Sequence, residues 1–156
     1  MGLWTWAVEA YGQPGVREDL LELQDGQGQN VCLLLWAAWC AAEGRPLERD
    51  TVEEASDIAR TWEDAAIAPL RKLRRGLKKP IPDMEPTARE SVRDRIKAAE
   101  LAAEKALLEG LDAITPAPAG KPSATEAALA AAARAWGPTT PRGHLAELSA
   151  KLSGRS

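Results

Sequence analysis

Twelve consecutive residues, Val31 to Ala42, carry no polar group beyond thiols and indoles: Val-Cys-Leu-Leu-Leu-Trp-Ala-Ala-Trp-Cys-Ala-Ala. As a helix rising ~1.5 Å per residue, the run is ~18 Å long, too short for the ~30 Å apolar core of a bilayer. A helix that is apolar on every side belongs in the middle of a small soluble domain. The run predicts a buried helix from about Gln29 to Glu43, stopped at Gly44 with Pro46 just beyond.

The rest of the composition agrees with a helical fold. Ala and Leu dominate, aromatic residues make up 4%, and these are six Trp and one Tyr with no Phe. Ala and Leu are strong helix formers, and β-branched residues are scarce. A length of 156 residues suits one domain with its own core. The formal charge of -3 and 28% charged residues describe an ordinary solvated surface, not a bulk polyanion binder. The opening Met-Gly-Leu-Trp-Thr-Trp has neither a basic region nor a small-residue cleavage site, and Trp6 stands where a myristoylation motif takes Ser or Thr. Cys32 and Cys40 lie ~12 Å apart along one helix, beyond the ~7 Å a disulfide spans. Two free buried thiols fit a reducing, cytoplasmic setting.

Punctuation divides the chain into further elements. A short helix over Leu3 to Tyr11 closes at Gly12 and Pro14, and a second runs from Val16 to Gln24 with Val16, Leu20 and Leu23 on one face. A fourth helix begins near Asp50, where Asp50/Glu53 and Thr51/Glu54 have capping-box spacing. Pro69 must kink or split it, and Leu70, Leu73 and Leu77 then continue the stripe begun by Trp62 and Ala66. A fifth helix carries Val92, Ile96, Ala99, Ala103, Leu107, Leu111 and Ile114 at threes and fours. The expectation is an all-α single compact domain of about five packed helices over residues 3–114. Val31, Leu34, Leu35, Ala38, Leu70, Leu73, Ile96 and Leu107 are its expected core. Residues 115–156 are expected as a Pro/Ala-rich linker and a weakly helical tail, loosely docked or disordered.

Several short motifs occur in an order that resembles a known family. They are Leu3-Trp4 with Ala7 and Tyr11, Pro14-Gly15-Val16, Leu23-Gln24-Asp25 with Gly28, Asn30-Val31, and Leu34-Leu35-Trp36-Ala37-Ala38-Trp39. Trp62, Pro69-Leu70-Arg71, Arg74-Arg75, Leu77-Lys78 and Glu100-Leu101-Ala102-Ala103-Glu104 continue the pattern. The family is one of short proteobacterial proteins known only as a domain of unknown function. The resemblance covers about Leu3 to Leu111 and implies a compact helical protein, with no reaction or ligand attached.

Three constellations are candidates for function. Arg71, Arg74, Arg75 and Lys78, with Lys72 and Lys79, form a basic helix face that can grip a protein partner or a small anion. The same cations near a helix C-terminus also serve simply to offset its dipole. Nucleic acid is the weaker fit, since no aromatic residues interleave with the charges for base stacking. Trp36, Trp39 and Trp62 can line a pocket for an apolar ligand, or simply pack the core. Glu100 and Glu104, one helical turn apart, repel each other unless a cation such as Arg71 or Arg75 lies between them. Turn chemistry and N-capping account for Asp25, Gly28 and Asn30, although a helix N-terminus also attracts anions.

Catalytic and metal signatures are missing. The only histidine is His144, in the expected tail, so Glu-x-x-His metal pairs cannot form, and there is no Cys-x-x-Cys or glycine-rich phosphate loop. No cofactor or metal is expected. The leading expectation is a cytoplasmic interaction protein using the basic face. The alternative is a carrier or sensor of an apolar molecule in a Trp-lined pocket, and an enzyme is disfavoured.

Overall fold

A computed structural model describes residues 1–153; the last three residues of the expected tail lie outside the described residues. Regular structure among the described residues is helical throughout. The elements are α1 (Leu3–Tyr11), α2 (Val16–Asp25), α3 (Val31–Glu43), α4 (Arg49–Trp62), a π-helical turn (Glu63–Ile67), α5 (Ala68–Gly76), α6 (Pro86–Ile114), α7 (Thr125–Trp136) and α8 (Arg142–Ser153). Since α4, the π turn and α5 form one continuous rod, the described chain holds seven helices, where about five were expected.

The apolar run forms α3, and ten of its thirteen residues are buried. Asn30 starts it as N-cap, its Oδ1 accepting the Leu33 N–H at 2.9 Å. Gly44 ends it in the left-handed conformation at φ 65°. The Arg45 N–H then returns to the Cys40 carbonyl at 2.9 Å. Five helices, α1, α2, α4, α6 and α7, pack around α3.

The expected loose tail is instead part of the core. Six residues of α7, including Leu129, Ala133 and Trp136, are buried, and α8 buries Leu145, Leu148 and Leu152. The alanine-rich α7 packs closely on α3, which itself carries the small buried residues Ala37, Ala38 and Ala41. Polar contacts fasten it. The Trp136 indole N–H reaches the Gly28 carbonyl at 2.8 Å, and the Arg60 guanidinium stacks 3.5 Å above the Trp136 ring. The Pro-rich linker is tied to the end of α3, where the Gly44 carbonyl accepts from the N–H groups of Ala119 and Gly120.

The π turn corrects a second expectation. It sits just before Pro69, which lacks the N–H of a normal α-helical bond, and the Ala68 N–H bonds to the Glu63 carbonyl five residues back. The wider turn adds one residue, so the face that follows is shifted by one position. Ile67, Arg71 and Arg74 therefore join the half-buried Ala66 and Leu70 on the inward side, and Leu73 is turned out. Ile67 is buried, Leu70 is half-buried, and Leu73 is 54% exposed. The stripe on α6 is likewise shorter than expected. Val92 and Ala99 are exposed and Ile96 is half-buried, and the fully buried apolar residues of α6 begin at Ala103. Val31 is half-buried at the start of α3, while Leu34, Leu35, Ala38 and Leu107 lie in the core.

Gly28 and Gly44 share φ 65°, yet a Cβ at Gly44 would meet the Gly120 carbonyl oxygen and one at Gly28 would meet nothing. Gly28→Ala should therefore lose ~1–2 kcal/mol, the cost of the left-handed backbone alone. Gly44→Ala should lose clearly more. Urea midpoints of the two variants measure the difference.

Candidate functional site

The rod's inward face meets α6 through a cluster of charges. Arg71, 12% exposed, lies 3.2 Å from Glu63, 3.4 Å from Glu100 and 4.0 Å from Glu104, and its Nη2 donates to Gln24 Oε1 at 3.1 Å. Arg74 donates from Nε to Glu100 Oε2 at 2.6 Å. Glu63 also accepts from the Asn30 side-chain amide, so the network reaches the N-terminus of α3. Three carboxylates thus share two guanidiniums. Glu100 takes the best of them, whereas Glu104 has only the distant Arg71 and accepts no hydrogen bond from the described residues. Burial, with Glu100 nearby and against the pull of Arg71, raises the Glu104 carboxyl above its usual range.

Glu104 also forms part of the wall of a cavity of about 260 Å³ bounded by α1, α2, α3 and α6. Trp4, Ala7, Val8 and Tyr11 come from α1, Leu20, Leu21 and Gln24 from α2, Val31, Cys32 and Leu35 from α3, and Leu101 and Leu108 from α6. Of the large apolar residues that remain exposed, Val8, Tyr11, Leu21 and Leu101 all surround this cavity. A smaller void of about 10 Å³, about one water in size, lies behind Glu104 against Asn30, Glu63 and Arg71. Burial pushes the Cys32 thiol well above its ordinary range and holds the Tyr11 hydroxyl up despite Arg17. The Cys40 thiol is pushed up to about 12 by burial. Both thiols are therefore poor nucleophiles.

A scan against family models matches residues 2–111 to DUF2390, a protein family of unknown function. The chain belongs to the DUF2390 family. No curated protein and no solved structure is detectably similar to it. The DUF2390 segment contains the whole charge network and every residue lining the cavity, while α7 and α8 lie beyond it.

Within this DUF2390 fold the expected site residues scatter. Arg71 and Arg74 are committed to Glu63 and Glu100, and Arg75 pairs with Asp25 at 2.6 Å. The hydrogen bonds from Gln24 and Arg75 outweigh partial burial and lower the Asp25 carboxyl. Lys78 is exposed. Trp36 and Trp39 are fully buried, with indole N–H groups bonded to Thr115 Oγ1 at 2.8 Å and to the Met1 carbonyl at 3.1 Å. Neither they nor the half-buried Trp62 line the cavity. Trp4, Val8 and Tyr11 do line it, at a spacing of four and three beside the buried stripe of α1, and Leu101, Glu104 and Leu108 repeat such a second stripe on α6. Those second stripes were the overlooked signal. Among the described residues no group of His, Cys, Asp and Glu is placed to hold a metal ion.

The two glutamates should respond oppositely to neutralisation. Glu100→Gln should cost ~3 kcal/mol, at the low end for breaking a buried pair, since Arg71 keeps Glu63 and Arg74 reaches water. Glu104 has a raised folded pKa, so its ionised form favours the unfolded chain. Glu104→Gln should therefore match or exceed the parent's stability at pH 7. That difference should vanish as pH falls below the ordinary Glu value of ~4.3. Urea titrations at two pH values check both signs.

Proposed function

We propose that this DUF2390 protein is a binding protein, and that it takes an apolar small molecule into the cavity between α1, α2, α3 and α6. The observation that carries the reading is the ring of exposed Val8, Tyr11, Leu21 and Leu101 around a cavity of about 260 Å³. Exposed apolar groups clustered at a concave opening mark a ligand site, whereas scattered ones do not. The alternative site at Trp36, Trp39 and Trp62 loses support because the first two are sealed in the core.

A second reading retains the basic face as a docking surface for a protein or small anionic partner. It rests on Lys72, Lys78 and Lys79, which are exposed and make no ion pair with the described residues, beside the exposed Leu73 and Met84. The arginines of that face are already paired within the chain, which ranks it second. Among the described residues no helix is long and apolar enough to cross a membrane. Two buried free thiols suit a cytoplasmic location.

Saturable binding of a neutral fluorescent probe such as prodan is the expected result. Val8→Asp with Leu101→Asp, both at exposed positions, should weaken it at least tenfold. Charge reversal at Lys72, Lys78 and Lys79 should leave it unchanged. Binding that ignores the α1/α6 pair but falls on charge reversal would favour the basic face instead.

A further inference from the structure

Among the described residues Glu104, its side chain 31% exposed, is the one charged group that lines the apolar cavity. Its carboxylate accepts no hydrogen bond from the described residues, and its nearest cation, Arg71 Nη2, stands 4.0 Å away. That guanidinium is closer to Glu63 and to Glu100, and Arg74 is given to Glu100. The network therefore ends with one carboxylate in excess, and the excess faces the cavity. A neutral ligand would leave it unmatched, and an anionic one would meet its repulsion. Lys105, over the Trp4 ring, and Arg17, bonded to the Tyr11 hydroxyl, touch the aromatic residues of the cavity without lining it. Two aromatic rings, Trp4 and Tyr11, line the cavity from α1. Their π faces favour a cation over an anion, and Trp4 already draws the Lys105 ammonium to 5.3 Å from its ring centre.

We propose that the ligand is a primary alkyl or arylalkyl amine, its hydrocarbon body among the apolar residues of the cavity and its ammonium against the Glu104 carboxylate. This rests on the reading of the cavity as a ligand site and specifies what it takes. An ammonium supplies both the missing charge and up to three N–H donors. It completes a pairing that the chain leaves open, while the apolar walls supply affinity through burial.

Calorimetric titration of the full chain at pH 7 with hexylamine, hexan-1-ol and hexanoate separates the possibilities, since the amine is fully charged there. Hexylamine should bind at least tenfold more tightly than the alcohol or the acid. Glu104→Gln, which should not weaken the fold, should bring the amine down to the affinity of the alcohol and leave the alcohol unchanged. Equal affinity of amine and alcohol for the parent protein would overturn the amine assignment and leave the cavity reading standing. An amine preference that survives Glu104→Gln would overturn it too. Failure of all three compounds to bind at millimolar concentration would overturn the cavity reading and the amine assignment together.

Discussion

The fold is organised by the need to cover a helix that has no solvent face. An amphipathic helix is satisfied by neighbours on one side, but α3 needs them on every side. Helices α1, α2, α4 and α6 supply much of that cover, and α7 packs closely on α3 to complete it. The C-terminal helices owe their place to this demand more than to their own apolar content. It also explains why the linker is pinned to Gly44, since the chain must turn back along α3 as soon as α6 ends.

A different force sets the position of α5. It buries no residue fully, so apolar packing cannot decide its register on α6. Polar contacts do so, and Arg71 of α5 reaches both Glu100 and Glu104. Arg74 grips Glu100 through its side chain, and the Arg74 carbonyl accepts from Arg93 Nε at 3.2 Å. Interactions of this kind add little net stability once desolvation is counted, yet they penalise any slipped arrangement heavily. The same arrangement explains why two glutamates one turn apart have unlike surroundings. Glu100 meets the side of the rod that carries both guanidiniums, and Glu104 lies one turn further on, where only Arg71 extends.

The sequence made α3 legible with both its caps, because an unbroken apolar run between Asn30 and Gly44 has few other readings. The all-helical class and the boundaries of α1 and α2 followed from periodicity and glycine punctuation. The π turn did not. Pro69 signals that one backbone bond must be missing, but not whether the helix bends or widens, and the widening turned Leu73 outward and brought Arg71 and Arg74 to the inward side. The docking of α7 is hidden in its own Ala-rich sequence and follows instead from α3, whose fully apolar surface requires another neighbour. For the site, the Glu100–Arg71 contact was anticipated from the need of paired carboxylates for a cation, whereas Arg74 took the place foreseen for Arg75. The cavity went unread because attention to Trp36 and Trp39 followed residue type. The second apolar stripes on α1 and α6 hold the geometric information.

Since α5 has no fully buried residue, its local opening must cost less than opening of the core around α3. What closes it is largely charge. Acid removes charge pairs by protonating carboxylates, and salt weakens the more exposed ones, such as Arg75 with Asp25, while apolar burial is little affected by either. The carboxylate in the cavity wall, Glu104, therefore has its cation, Arg71, on a helix that lies outside the cavity and has no fully buried residue. Fraying of α5 would release Arg71 and leave Glu104 without its cation while the apolar walls stayed in place.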